Sequence, residues 1–281
     1  MLSSRDLVRP VTLKAAGPGE RIAVGLLLVL VIVVICGPLL SPYSAIVPSG
    51  EPYLPPLSAG HPLGTDNLGL DVATRVLDGM RTSVYAAVVV TLFAAVAGLV
   101  IGTLAGFAGG FLDTALMRFT DLFLALPATI VAMAIAAGLG PSLTSSMIAI
   151  GVVWWPLYAR LVRGEVRRVT TGLHVEAARM SGTKGLRLVR RHVVPSVLPT
   201  VAVTASQDIG AVILTIASLS FVGLGAPAPA PELGLMASAG MQYVVNAWWI
   251  PVVPGLAVGL LSLLCTYSGD GLRSVLRAKG A

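Results

Sequence analysis

The chain has 281 residues, of which 56% are hydrophobic and only 11% charged, with a formal net charge of +6. Mean hydropathy is +0.88, which leaves too little polar surface to cover a water-soluble domain. The charges sit in clusters between long apolar runs, the pattern of a chain surrounded mostly by lipid, so the basic excess calls for no nucleic-acid partner.

A spanning helix needs about 20 mostly apolar residues, because the hydrocarbon layer is about 30 Å thick. Six segments qualify: Ile22 to Leu40, Ser83 to Phe107, Met117 to Leu139, Leu143 to Leu161, Val197 to Val222 and Ala247 to Ser268. Backbone groups in lipid must be satisfied within their own segment, so each is expected as a helix and the chain as an all-α integral membrane protein. The apolar run of the first segment is longer than a signal-peptide core, and its end, Cys36-Gly37-Pro38-Leu39-Leu40, lacks a small-x-small cleavage site, so it is read as retained.

Orientation follows the basic residues. With both termini in the cytoplasm, all but Arg75 and Arg81 of the 19 Lys and Arg face inside, including Arg5, Arg9, Lys14, Arg21 and Lys279. The outer stretch from Ser41 to Arg81 is rich in Pro, Gly, Ser and Asp and reads as a structured loop at most. A second outer loop, Gly223 to Asn246, carries Pro227, Pro229 and Pro231 and should start extended. Cys36 and Cys265 lie far apart in apolar stretches and read as buried thiols.

The segment from Glu165 to Pro195, between the fourth and fifth spans, is much longer than a helical hairpin requires. Val175 to Ser181 has good helix formers, and Gly182 suits the left-handed position that ends a helix. A second short helix is expected from Leu186 to Val194, after which Pro195 opens the fifth span. Such a basic segment could lie on anionic headgroups. Two adjacent alanines and a glycine turn, however, lower side-chain bulk where another surface could come close.

Glu176-Ala177-Ala178-x3-Gly182, followed by His192-Val193-Val194-Pro195, resembles the EAA loop of binding-protein-dependent ABC import permeases. Further motifs narrow the resemblance to the "C" type permease of the dipeptide, oligopeptide and nickel branch. These are His61-Pro62-Leu63-Gly64-Thr65-Asp66, Trp155 to Glu165, Leu219 to Gly225, and Gly269-Asp270-Gly271-Leu272-Arg273. Leu70, Ile216 and Leu233 depart from the branch's usual pattern.

The resemblance implies a type I ABC importer permease fold with six spans. It also implies a homologous permease as heterodimer partner, two ATPase subunits and an extracytoplasmic solute-binding protein. Glu176, Ala177, Ala178, Arg179, Gly182, His192 and Pro195 would couple to the ATPase. The cargo would be a di- or oligopeptide, with nickel chelates, haem or glutathione as alternatives. The expected division is residues 1–81 (tail, first span, outer loop), 82–270 (transmembrane domain, coupling loop 165–195) and 271–281 (cytoplasmic tail).

No phosphate-binding loop of the Gly-x4-Gly-Lys-Ser/Thr kind occurs, so ATP and Mg are expected in partner subunits, with no cofactor or metal in this chain. Asp208, beside Gln207 about halfway along the fifth span, is the most unusual residue. Charge at that depth is turned toward a bundle interior or a water-filled path. These two side chains either line the pathway or make a structural interhelical hydrogen bond. Asp208 is also the one feature that would suit an ion-coupled carrier instead. Trp154, Trp155, Tyr158, Trp248 and Trp249 read as interface anchors. Pro127 and Pro156 suggest kinks, and Gly98, Gly102 and Gly106 form a face for close helix packing.

Overall fold

The computed structural model describes residues 18–277, so the basic residues Arg5, Arg9, Lys14 and Lys279 lie outside the described residues. The apolar runs become helices: α1 (Pro18–Leu40), α2 (Val72–Ala108), α3 (Gly110–Leu124), α4 (Ala128–Leu139) and α5 (Leu143–Thr170). There follow α6 (Leu173–Met180), α7 (Gly185–Leu188), a π turn (Val189–Val193), α8 (Val194–Phe221), α9 (Leu233–Gly240) and α10 (Trp249–Arg277). Among the described residues, four helical stretches are long and apolar enough to cross a membrane: α2, α5, the unit Gly185–Phe221, and Trp249–Gly269 of α10. α3 and α4, bent by 83° at their junction, make a fifth if taken as one, and α1 has a shorter apolar stretch, Leu28–Leu40.

Several boundaries differ from expectation. The third span is broken rather than continuous, because Pro127 cannot donate a helical hydrogen bond and drives the preceding residue out of the helical region; it stands as the N-cap of α4. α2 begins at Val72, so Arg75 and Arg81 belong to a helix rather than a loop, and the helix runs across the boundary placed at residue 82. Its start is fixed by Asp71, whose carboxylate accepts from the N–H and the hydroxyl of Thr74.

The second outer loop also holds more structure than expected. Glu232 caps α9 by accepting from the N–H groups of Gly234 and Leu235. Cys36 is exposed rather than buried, since α1 packs on α10 and α2 by one face only.

α2 and α5 form the closest pair. The reason is the small-residue face of α2. A Cβ added to Gly98 would stand 2.2 Å from the Cβ of Tyr158, and one on Gly102 would stand 2.5 Å from the Ala159 carbonyl oxygen. Backbones this close bury Tyr158, and Trp155 packs against Phe119 and Phe123 of α3, so these two rings are core and not interface anchors. Trp248 is exposed as expected, but Trp249 is buried.

The core falls into two apolar clusters. One joins α1, the first half of α2, α4, the first half of α5, the second half of α8, α9 and much of α10. The other joins the second halves of α2 and α5 to Val175, Ala178, Leu188, Val193 and the start of α8. That second cluster carries the candidate site.

Candidate functional site

α5 continues nine residues past the expected span, with Arg167 and Arg168 in its last turn, where positive charge suits the helix dipole. Three ion pairs fasten this end of α5 to α3. Asp113, almost fully buried, takes both Arg163 and Arg167, and Asp121 takes Arg160. After Gly172 the chain turns into α6.

An eight-residue helix is marginal alone and must be held by packing. Val175 and Ala178, one turn apart, are its buried face and rest against Val166, Val169, Leu188 and Val193. Glu176 near its N-terminus and Arg179 near its C-terminus both complement the dipole. The outward face presents Glu176, Ala177 and Arg179, flanked by Leu173 and Met180, each 84% exposed.

The end of α6 is a Schellman turn. The N–H of Gly182 donates to the Arg179 carbonyl and that of Thr183 to the Ala178 carbonyl, both at 3.0 Å. Gly182 has φ = +84°, the left-handed region anticipated for it, and a Cβ there would meet nothing within 4 Å. Its requirement for glycine is therefore conformational rather than steric.

The second loop helix is not separate. α7, the π turn and α8 run as one helical unit from Gly185 to Phe221. Pro195 lacks the N–H that an α-helix would direct back to Arg191, and the preceding residues widen into a π turn in which the Val194 N–H reaches the Val189 carbonyl. Pro195 thus stands in the first turn of α8, as expected, while the helical unit as a whole already begins at Gly185. Leu188 and Val193 are buried, Leu186 is 71% exposed, and His192 is half-buried.

The structure thus gathers Glu176, Ala177, Arg179 and Gly182 on one projecting surface, with Ala178 beneath it and His192 and Pro195 on the adjoining helical unit. Sequence reasoning missed Leu173, Met180 and Leu186, whose exposed apolar side chains border that surface. The spacing of Leu173 and Met180, two helical turns apart, was the available signal.

Gln207 and Asp208 lie apart from this surface, half-buried on α8. The Asp208 carboxylate faces the Tyr158 hydroxyl and Trp154 indole N–H of α5. Both polar atoms are buried, and Asp208 is the acceptor they face. Among the described residues no three His, Cys, Asp or Glu side chains gather as a metal site.

Around the start of α2, His61 Nδ1 pairs with Asp71 at 2.9 Å, and Arg75 lies 3.6 Å from Asp66. Glu232, before α9, is buried. Burial raises its carboxyl above the usual range, against the two backbone N–H groups that favour the charged form.

Residues 98–279 match the family model described as binding-protein-dependent transport system inner membrane component. The chain is 42% identical to the probable D,D-dipeptide transport system permease protein of Escherichia coli K12, over 80% of this chain and 76% of that one. It is 37% identical to the dipeptide transport system permease protein of Alkalihalophilus pseudofirmus, over 91% and 85%.

The fold resembles the inward-facing MetNI methionine ABC transporter, with a TM-score of 0.57, 24% identity and coverage of 72% of this chain and 95% of that one. A crystal structure of an amino acid ABC transporter with histidines gives a TM-score of 0.53 at 14% identity, covering 71% and 93%. From the family model and from these permeases, the chain belongs to the binding-protein-dependent transport system inner membrane components, multi-pass permeases of ABC importers in the bacterial inner membrane.

Proposed function

We propose that this chain forms half of the membrane pathway of a peptide importer and is driven through α6. The dipeptide permeases among its relatives support the cargo class. In this reading α1, α2, the bent α3–α4 pair, α5, the Gly185–Phe221 unit and α10 are six spans, with both termini cytoplasmic. Residues 82–270 form the transmembrane domain proper, and 165–195 the coupling loop. A homologous permease completes the pathway, two ATPase subunits bind below with their ATP and Mg, and a solute-binding protein delivers peptide from outside.

The observation that carries this reading is the shape of α6. A short helix is anchored by Val175 and Ala178, presents Leu173, Ala177 and Met180 outward, and ends in a turn that needs glycine. Exposed apolar side chains beside a small residue, with charges at the margin, suit insertion into a groove on another protein. ATP-driven closure of the ATPase pair would displace α6 and, through the shared apolar cluster, the cytoplasmic ends of α5 and α8. The test places a bulky residue at Gly182 in the reconstituted complex. Normal uptake together with normal substrate-stimulated ATP hydrolysis would show the coupling role to be wrong.

A further inference from the structure

We propose that a small cavity bordered by Arg75 takes the terminal carboxylate of an arriving peptide. The inference rests on the peptide reading and the topology above and adds to them the chemical group that is recognised.

Separate stretches of chain meet at this cavity: the turn before α2, the residues before α9, α9 itself and the single turn after it. They enclose about 140 Å³. Arg75 is 6% exposed and Met236 7%, and both line the interior. Leu68, Pro229, Ala239 and Gln242 also line it but are exposed, so the cavity has a buried floor and an open rim. In the proposed topology that rim lies on the outer face, where peptide arrives.

The second observation is the state of the guanidinium. A charge so deeply buried needs several partners, and arginine has five N–H donors to place. Among the described residues Arg75 makes one hydrogen bond of ordinary geometry, from Nη1 to the Ala45 carbonyl at 3.0 Å. Its Nε stands 3.6 Å from Asp66 Oδ2, near enough to feel the charge but too far for a hydrogen bond. Asp66 is engaged elsewhere, because its Oδ1 accepts from the N–H groups of Leu68 and Leu70 and closes the turn before α2. The guanidinium therefore keeps donors that neither contact uses, on the border of a cavity open to the surface.

The planar fork of arginine matches a carboxylate, and the carboxamides of Asn67 and Gln242 on the same cavity suit the last peptide group. Met236 and Ile250 give a small side chain an apolar floor. Peptides differ in their side chains but share the terminal carboxylate, so a contact with that group serves an importer of varied sequences.

The experiment uses the complex of this chain with its partner permease and ATPases, without the solute-binding protein. It measures equilibrium binding of N-acetyl-trialanine and of its C-terminal amide, which differ only in the terminal carboxylate. The wild-type complex should hold the acid about tenfold tighter than the amide, the scale of one charge-assisted contact. Arg75→Gln should bring the ratio to about one. Ala239→Phe, which leaves Arg75 in place and fills the rim, should do the same. Because each ratio is taken within one preparation, a smaller folded fraction cancels, and if Arg75→Gln yields no complex the rim variant decides alone.

Equal or undetectable binding of both peptides by the wild type overturns the proposal, as does a ratio that survives in either variant. The affinity of the solute-binding protein for the same complexes is measured alongside. If the wild type shows no preference for the acid while both variants bind that protein about tenfold more weakly, the carboxylate is an acidic side chain of the receptor and the assignment to peptide is overturned. Peptide uptake by the full wild-type assembly tests the underlying reading. Its absence overturns the peptide reading itself, whereas normal uptake without a preference for the acid overturns only the role of this cavity.

Discussion

The indole N–H of Trp249 donates to the backbone carbonyl of Thr65 at 3.0 Å, joining positions 184 residues apart. The segment between α1 and α2, which sequence alone presents as a turn-rich loop, is thereby pinned to the first turn of α10. Replacing Trp249 with Phe keeps an aromatic ring but leaves the Thr65 carbonyl without this donor. The expected cost is about 1–3 kcal/mol, read as a lower unfolding midpoint in detergent and faster proteolysis between residues 42 and 71. An unchanged midpoint and cleavage pattern would show that the bond holds nothing.

Gly182 offers a graded test of α6. Because a Cβ there meets open space, the cost of replacement comes from φ alone. Asn tolerates the left-handed region best, Ala should cost about 1 kcal/mol, and a β-branched Val more. Uptake per ATP hydrolysed should fall in that order, and equal ratios across the series would contradict it.

Close packing of α2 on α5 predicts a sharp contrast between glycines. Gly98→Ala forces its methyl into Tyr158 and should destabilise by about 1–3 kcal/mol or more. Gly164→Ala, on α5 with nothing within 4 Å of the added atom, should be neutral or stabilising by up to about 1 kcal/mol through helix propensity. Thermal midpoints of the two purified variants decide the matter.

The Asp113 carboxylate accepts from both Arg163 and Arg167 and fastens α3 to the C-terminal extension of α5. Asp113→Asn keeps the shape but removes the charge that holds two guanidinium groups. A loss of about 2 kcal/mol is expected, tempered by the partial exposure of both arginines. Hydrogen exchange in α3 should quicken; unaltered exchange would mean that packing alone holds α3 in place.

Glu232 carries a pH dependence of definite sign. Its folded value lies above the ordinary 4.5 because burial disfavours the charge. The folded chain therefore binds this proton more readily than the unfolded chain, so its contribution favours folding at pH below 4.5. That contribution is lost as pH rises through the raised folded value. Glu232→Gln should flatten this part of the profile of unfolding midpoint against pH. Parallel profiles for wild type and variant would remove Glu232 as the cause.

Much of the fold was legible because lipid enforces a simple rule: apolar length becomes helix. The turn that ends α6 was legible for the same kind of local reason, since Gly182 in a helix-ending context has few conformations open to it. Trp155 and Tyr158 were misread because an aromatic residue near the end of a span looks alike whether it faces headgroups or a neighbouring helix, and only the approach of Gly98 and Gly102 decides which. The start of α8 at Pro195 was legible because proline suits a first turn, but the π turn that joins it to the preceding short helix in one longer unit was not, since no local pattern marks it. The Asp208–Tyr158–Trp154 grouping joins α8 to α5 across the bundle, a pairing that no local pattern encodes.

That longer unit has a mechanical consequence. A helix of 37 residues is about 55 Å long at 1.5 Å per residue. Fastened near one end by the apolar cluster beneath α6, it acts as a lever: a tilt of about 5° there carries the far end through about 5 Å, within the range of hinge and shear motions. The π turn, Pro195 and Pro199 interrupt the regular hydrogen-bond ladder of that arm next to the point where force would enter. Stiffening this section would change how much of each stroke reaches the outer face before it changed whether α6 can be gripped.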